Sequence, residues 1–298
     1  MYQLTLQVAV LLTIGYLLSR VWAKPVDTLN KFLFYITLPL SLTLSLAKIG
    51  NLSSFAASLA LGLAHMLLTM LSSIALAHHL YSESKKELVT LSSLPNAIFI
   101  ALPLATLLLG DSVYAIPHAT VFNIILVLLL AYLGFSGSNS VRRTIALYTG
   151  ALALGLLLNL TGAYRTARNL IDSTSNFTST ANTLSFIVVG ASLSKLKVSR
   201  RILKGLVFVA AARYILSPAL LALALASMEA FQISIEDGFV KGAILQSIMP
   251  PAVTCIVLGK ALNMDEDLIA TAIAVLSPVS VTLSLLIYGV GTMPGSFG

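Results

Sequence analysis

Two proline-containing segments lie deep within apolar stretches of the chain and have the residue types of a solute or ion site. Leu94-Pro95-Asn96 lies about nine residues past Lys86, and Met249-Pro250-Pro251 lies about thirteen residues past Asp237. At about 1.5 Å per helical residue, both segments would be roughly 14–20 Å from the helix start, near the middle of a membrane. Proline has no amide hydrogen and clashes with the preceding turn, so we expect both helices to be interrupted.

An interrupted helix inside a membrane exposes backbone groups that must be buried in protein or line a wet cavity. Two interruptions at equivalent depth bring together two half-helix N-termini, which favour an anion. They also bring together two C-termini, whose carbonyls can hold a cation or a polar group. The sequence therefore predicts a substrate-binding site built around Pro95, Pro250 and Pro251.

The polar side chains nearest these prolines are Asn96, Gln246 and Asn123. Each can hydrogen-bond a carboxylate or join two helices, and for Asn96 we favour contact with the solute. The single cysteine, Cys255, excludes an internal disulfide and a cysteine-based metal site. We expect neither a metal nor a cofactor.

Few ionisable residues lie at depth, and we expect no Asp or Glu within a spanning segment. Arg213 lies about 14 Å past Lys204, where an arginine costs roughly 2.5–3.5 kcal/mol or more. Carbonyls or cavity water could satisfy it, or it could meet the substrate, and we include it among the substrate-binding candidates. His65 occupies nearly the equivalent place in the first half of the chain, and His118 also lies at depth. For His65, a neutral hydrogen-bonded ring and a role in proton coupling both remain open.

The composition requires a membrane around these residues. Hydrophobic residues make up 57% of the 298 residues and charged residues only 10%, which is too few charges for a water-soluble surface. Apolar runs long enough to span a bilayer follow one another along the chain. We predict ten transmembrane helices, at 2–22, 27–47, 53–79, 87–109, 112–135, 143–161, 176–194, 202–228, 239–260 and 267–290.

The basic residues predict the orientation. Thirteen lie in one set of alternate connections and four in the other. The larger set is Arg20, Lys24, Lys31, Lys85, Lys86, Arg142, Arg143, Lys195, Lys197, Arg200, Arg201, Lys204 and Lys260. The smaller set is Lys48, Arg165, Arg168 and Lys241. Because basic loops stay in the cytoplasm, we place both termini outside the cell membrane.

The chain divides into two halves. A shift of 155 residues places Pro95 on Pro250 and Ala97 on Ala252, and Asp111 then falls on Glu266. Five predicted helices precede the basic turn at 142–143 and five follow it, so the second half would be inverted in the membrane. The predicted units are a first repeat at 1–135, a linker at 136–142 and a second repeat at 143–298.

Several motifs resemble the auxin efflux carrier family, which includes the plant PIN carriers and prokaryotic malate-permease-like relatives. The segment 94–104 resembles that family's Asn-x-Gly-Phe-x-Gly-x-Pro-Leu stretch, although Ile98 and Ala101 replace its glycines. The segment 246–254 resembles its Met-Pro-Pro-Ala stretch, and this is the most specific match. The segment 34–39 and the Arg213-x4-Pro218 pattern are also similar, so the resemblance spans nearly the whole chain.

The resemblance implies an all-α integral membrane fold of the bile-acid:sodium symporter type, a 5+5 inverted repeat with crossed broken helices 4 and 9. Helices 1, 2, 6 and 7 would form a scaffold, and helices 3–5 and 8–10 a mobile transport core. The expected function is elevator-type secondary transport of a small organic anion, such as an auxin-like or dicarboxylic acid. The alternative is a sodium-coupled symporter of a bulky amphipathic solute such as a bile acid. A scaffold helix facing a second copy would suit a homodimer.

Other classes of protein fit poorly. The basic charges lie at helix ends rather than on one stripe, so we expect no nucleic-acid partner. The predicted spanning segments contain no acidic pair, and the sequence contains no His-Glu-x-x-His or Gly-x-Ser-x-Gly, so we do not expect an enzyme. A channel would normally show a filter motif or a ring of charges.

The predicted orientation can be tested by cysteine accessibility after removal of Cys255. Single cysteines at Ser84 and Ser138 should be protected from an impermeant thiol reagent in intact cells, because both lie in predicted cytoplasmic connections. A cysteine at Asn51 should react. Reaction at Ser138 from outside would contradict the inverted orientation of the second half.

Overall fold

The computed structural model describes residues 2–81, 85–132, 139–195 and 199–290, and these residues are almost entirely helical. The helices are α1 (Tyr2–Val21), α2 (Ala23–Phe32), α3 (Leu38–Ala47), α4 (Leu52–Leu80), α5 (Lys85–Ser93), α6 (Ala101–Leu109), α7 (Ile116–Tyr132), α8 (Asn139–Leu160), α9 (Ala163–Thr166), α10 (Arg168–Thr183), α11 (Ser185–Ser192), α12 (Arg200–Ala211), α13 (Ser217–Ala230), α14 (Asp237–Ser247), α15 (Thr254–Ala261) and α16 (Glu266–Val290). Short 3₁₀ turns at Ser112–Ala115 and Leu193–Lys195 extend α7 and α11.

The structure has the features of an all-helical membrane protein. In the described residues, four stretches are long and apolar enough to cross a membrane: Lys24–Ala47, Leu52–Leu80, Arg200–Ala230 and Glu266–Gly289. Shorter apolar helices lie at Thr5–Val21, Ser112–Leu126 and Ala146–Leu160. Within the described residues the predicted runs coincide largely with helix, apart from the breaks inside 87–109 and 239–260, while ten crossings and the inverted repeat stay predictions.

Two predicted boundaries differ from the structure. The helical region around the predicted run 176–194 begins with α10 at Arg168, because the first turns of α10 are polar and do not look like an apolar run. Residues 139–142 of the predicted linker at 136–142 belong to α8. Residues 136–138, like Ser84, lie outside the described residues.

Acidic residues do occur within the spanning helices, contrary to our expectation, although they lie near helix ends. Asp27 is one turn inside the Lys24–Ala47 stretch, and Glu229 is at the end of the Arg200–Ala230 stretch. Glu87 is only 9% exposed and lies in the first turn of α5. Its Oε1 accepts a hydrogen bond from the Asp265 amide at 2.9 Å, which joins α5 to the turn before α16.

Two long helices carry a π-helical turn just before a proline. Leu33–Thr37 precedes Pro39, and Ala212–Leu216 precedes Pro218. A proline removes one hydrogen bond of the helix and crowds the preceding turn, and a widened turn is a common way to absorb this. The helices therefore continue through both prolines, unlike the two that break at Pro95 and at Pro250-Pro251.

The helices pack in two groups. α1 packs along α11, and α3 packs along α8. In the second group, α4 contacts α5, α7 and α13, while α12 contacts α5 and α16. Contacts of α11 with α16 and of α10 with α6 join the two groups, and the division into a scaffold of helices 1, 2, 6 and 7 and a core of helices 3–5 and 8–10 stays a prediction. Asp172 on α10 pairs with Lys48 after α3 at 3.0 Å, and its hydrogen bond to the lysine holds the pKa of this carboxyl below its ordinary value.

Glycines allow α1 and α11 to approach closely. A Cβ atom added to Gly190 would collide with the backbone carbonyl of Leu12, and one added to Gly15 would collide with that of Ile187. Both neighbours are backbone atoms, which cannot move aside as a flexible side chain can. Each helix therefore needs a glycine where it crosses the other.

We predict that Gly190→Ala lowers the thermal stability of the purified protein, because the added methyl group must separate the two helices. Overpacking of this kind costs about 1–3 kcal/mol. Gly150→Ala is the matched control, since a Cβ at Gly150 meets nothing within 4 Å. Thermal unfolding in detergent measures both variants, and equal melting temperatures would contradict the close crossing of α1 and α11.

Candidate functional site

The two interrupted helices cross at their breaks. α5 ends at Ser93 and α6 begins at Ala101, while α14 ends at Ser247 and α15 begins at Thr254. The connecting segments form an antiparallel bridge between Pro95 and Pro251. All three predicted prolines therefore lie within one crossing.

Two backbone hydrogen bonds hold the crossing together. The Asn96 amide donates to the Pro250 carbonyl at 2.7 Å, and the Ala252 amide donates to the Leu94 carbonyl at 2.8 Å. Each break thus supplies a partner to the other, and this satisfies backbone groups that an isolated interrupted helix would leave unpaired in lipid. Neither segment would be stable alone at this depth.

The side-chain amide of Asn96 forms hydrogen bonds through its oxygen but not through its nitrogen. Its Oδ1 accepts hydrogen bonds from the amides of Phe99 and Ile100, at 3.1 and 3.2 Å, and so caps the start of α6. Its Nδ2 is buried and has no hydrogen-bond partner, and the residue is 3% exposed. An unpaired buried donor is costly, so this atom is a strong candidate for contact with a bound solute.

Two cavities adjoin the crossing, and Asn96, Phe99 and Val253 line both. The smaller, of about 40 Å³, is also lined by Asn123 and Tyr148. The larger, of about 190 Å³, extends from the crossing to Ser19, Asp27 and Asn30 near the junction of α1 and α2. The larger cavity has more room for a small organic molecule.

The half-helix N-termini point toward these cavities. α6 and α15 begin beside the lining residues Ile100 and Val253, and the first residue of α15, Thr254, lines the smaller cavity. The Thr254 hydroxyl is buried and has no partner. Each N-terminus carries roughly half a positive elementary charge, so the site is suited to an anion.

Asn123 and Gln246 have different environments. Asn123 lines the smaller cavity, and its Nδ2 makes only a long hydrogen bond of 3.4 Å to the Thr149 hydroxyl. Gln246 is fully buried, and its Nε2 donates to the carbonyls of Ala97 and Ala115 at 3.0 and 3.1 Å. Gln246 therefore joins α14 to the first break and to the start of α7, while its Oε1 has no partner.

Arg213 lies among backbone carbonyls at the ends of the two interrupted half-helices. It is 1% exposed, and its Nε donates to the Met249 carbonyl at 2.7 Å. Its terminal nitrogens donate to the carbonyls of Ser92 at 3.1 Å, Gln246 at 3.3 Å and Ser247 at 3.5 Å. Arg213 is therefore paired with carbonyls, which is one of the roles considered from the sequence. Direct contact of Arg213 with a solute stays a prediction.

His65 belongs to a buried chain of hydrogen bonds. Its Nε2 lies 3.0 Å from the Ser217 carbonyl, which can only accept, so this nitrogen carries the proton. Its Nδ1 is then the acceptor for His118 Nε2 at 3.4 Å. Both rings can be neutral in this arrangement, which links α4, α7 and α13. A role of His65 in proton coupling stays a prediction.

Sequence reasoning missed Thr254 and Asp27 as candidates. Thr254 lies four residues past Pro250, where a half-helix must begin, and that spacing could have identified it. Asp27 is the first residue of the predicted helix 27–47, and nothing in its sequence position indicates a cavity. Only the packing of the helices places it along the larger cavity.

We predict that Gln246→Met destabilises the protein by about 1–3 kcal/mol, because two buried carbonyls lose their donor. The methionine keeps the length of the side chain, so the loss reports the hydrogen bonds. Gln3→Met, at an exposed position of α1, is the control. Thermal unfolding measures both, and an unchanged melting temperature for Gln246→Met would show that the two bonds contribute nothing.

The geometry of the crossing can be set against known proteins. No family model matches the chain, and no curated protein matches it. The resemblance to auxin efflux carriers therefore rests on the sequence motifs and stays a prediction. The function has to be argued from the site itself.

Proposed function

We propose that the chain is a secondary transporter that carries a small organic anion across the cell membrane by elevator-type alternating access. The observation that carries the proposal is the crossing of two interrupted helices, with two half-helix N-termini and two unpaired donors beside cavities. The donors are Asn96 Nδ2 and the Thr254 hydroxyl. Discontinuous helices of this kind are typical of secondary transporters, where the N-termini bind anionic groups of the substrate.

The character of the cavity supports an anion rather than a cation as the solute. Around the crossing, the unpaired groups that line the cavities include an amide N–H and a hydroxyl, which can both donate to a carboxylate. Asp27 is at the far end of the larger cavity, near the junction of α1 and α2. A carboxylate at the mouth can hold the solute's counter-ion or repel a second anion without occupying the site.

Equivalent contacts in the two halves support the inverted repeat. In the predicted helix numbering, helix 1 packs on helix 7 and helix 2 packs on helix 6, which is the exchange that a two-fold relation requires. Gly15 of helix 1 closely approaches the backbone of helix 7 at Ile187, and Gly155 of helix 6 makes the matching approach to the backbone of helix 2 at Thr43. The breaks pair through one hydrogen bond from each half, Asn96 to Pro250 and Ala252 to Leu94.

The two cavities support alternating access. The larger lies against helices 1, 2, 7 and 10 and reaches Ser19 and Asn30, next to Arg20 and Lys31 at the predicted cytoplasmic end. The smaller cavity lies against helices 2, 5 and 6 of the predicted ten-helix numbering, as the larger lies against its helices 1, 2, 7 and 10. If the core moves against the scaffold, a solute held at Asn96 would pass from one cavity to the other without leaving its donors.

The proposal is tested by counterflow in proteoliposomes. We expect saturable exchange of a labelled monocarboxylate, indole-3-acetate, or of a labelled dicarboxylate, malate, at a rate well above that of protein-free vesicles. A thermal-shift screen of organic acids identifies further solutes, because a ligand that binds only the folded protein raises its apparent stability. Absence of exchange with every acid that binds would contradict the transport function, and strict dependence on sodium with a bile acid would favour the symporter alternative.

Asn96→Asp tests the site within this assay. The carboxylate keeps an oxygen to cap α6 but replaces the Nδ2 donor by an acceptor that repels an anion. Loss of a hydrogen bond to a charged group is worth about 1.5–3 kcal/mol, so we expect the affinity of the folded variant for the solute to fall by at least about tenfold. The buried carboxylate should also lower the melting temperature, so affinity is measured on folded protein.

Asn51→Asp is the matched control for this substitution. Asn51 also caps a helix, with its Oδ1 accepting from the Ser54 amide at 3.0 Å, and it lies at the exposed start of α4. Asp caps a helix about as well as Asn, so Asn51→Asp should change neither affinity nor stability. Equal affinity in the wild type and Asn96→Asp would remove Asn96 from the site.

A further inference from the structure

The C-terminal ends of both interrupted half-helices converge on one buried positive charge. The guanidinium of Arg213 donates hydrogen bonds to four backbone carbonyls. They belong to Ser92 of α5, to Gln246 and Ser247 of α14, and to Met249 of the second break. Within the described residues, the hydrogen bonds of Arg213 all go to backbone carbonyls. The charge is therefore matched by helix ends and not by a carboxylate.

The charges of this arrangement balance. Each helix C-terminus carries roughly half a negative elementary charge, so two of them together require about one monovalent cation. The guanidinium supplies one positive charge, and it cannot lose its proton in a protein. In transporters with discontinuous helices, the same half-helix C-termini and unwound carbonyls coordinate the coupling ion.

We propose that Arg213 supplies, from within the chain, the monovalent cation that the two half-helix C-termini require. The carrier then has no need of sodium, and shortening this side chain turns the same carbonyls into a sodium site. The statement about transport rests on the proposed function. The statement about the site does not, because it is read out by protein stability.

The neighbouring residues hold the guanidinium in place. Arg213 lies in the π-helical turn Ala212–Leu216, and the hydroxyl of Tyr214 in the same turn donates to the Leu276 carbonyl at 2.7 Å. The Ser217 hydroxyl donates to the Ser247 carbonyl at 2.9 Å and so shares an acceptor with Arg213. If the guanidinium is removed, the Ser217 hydroxyl still holds the Ser247 carbonyl beside a space that a cation can enter.

The decisive variant is Arg213→Ala, purified in detergent and unfolded by heat in sodium, potassium or choline chloride at constant ionic strength. We expect a low melting temperature in choline and a rise of roughly 3–5 °C in sodium or potassium, as for a ligand that binds only the folded state. Millimolar guanidinium should also restore stability, because it replaces the missing group. The wild type should melt at the same temperature in all three salts.

Two further variants separate charge from packing. Arg213→Lys keeps a cation on the helix, so its stability should not depend on the choice of salt. Arg200→Ala removes an exposed arginine of α12 and should behave as the wild type does. If Arg213→Ala is equally stable in sodium, potassium, choline and guanidinium, the proposal is wrong.

The wild type provides a second measurement, which also decides the question if Arg213→Ala does not fold. Replacing sodium by choline should leave both the melting temperature and the counterflow of a transported acid unchanged. Sodium dependence of either quantity in the wild type would overturn the proposal. If no acid is transported in any salt, the proposed function fails, while the melting temperatures still test the cation site.

Discussion

The structure depends on the need to satisfy backbone groups that two proline interruptions free inside an apolar environment. An unpaired N–H or C=O group at this depth costs several kcal/mol, and each break leaves more than one. The chain meets this need in three ways. The two breaks form hydrogen bonds with each other, and the Asn96 side chain accepts from amides at one new N-terminus. Arg213 donates hydrogen bonds to the carbonyls at both new C-termini. No single half of the chain could do this, so both halves must be assembled before either break is stable.

The same arrangement separates charge within a small volume. The unpaired donors of Asn96 and Thr254 belong to residues that line the cavities, while carbonyls at the half-helix ends accept hydrogen bonds from Arg213. Gln246 takes part in both sets of contacts. Its side-chain amide donates to the carbonyls of Ala97 and Ala115, while its own backbone carbonyl accepts from Arg213. A substitution at Gln246 would therefore disturb packing and electrostatics together.

The sequence predicted the parts of the fold that follow from local chemistry. The breaks at Pro95 and Pro250-Pro251 were predictable because proline acts on its own turn, and the helical runs because apolar residues continue for the thickness of a bilayer. The partners of Arg213 were not, since its four carbonyls come from segments far away in the sequence. The start of α10 at Arg168 was missed because its first turns are polar. That Asn96 keeps one free donor depends on how its amide is oriented by Phe99 and Ile100, which no sequence pattern reveals.

The fixed charge of Arg213 bears on the energy source of the proposed carrier. In that proposal, a cation bonded to a moving core would cross the electric field in both directions during each cycle, so its contribution would cancel. If the solute is a monoanion and no ion accompanies it, one negative charge is moved per turnover. The membrane voltage then does work of about 2.3 kcal/mol per 100 mV, which corresponds to a concentration ratio of roughly fifty. In a cell whose interior is negative, that work drives the anion outward, so a covalently attached counter-ion would make the carrier an exporter powered by voltage alone.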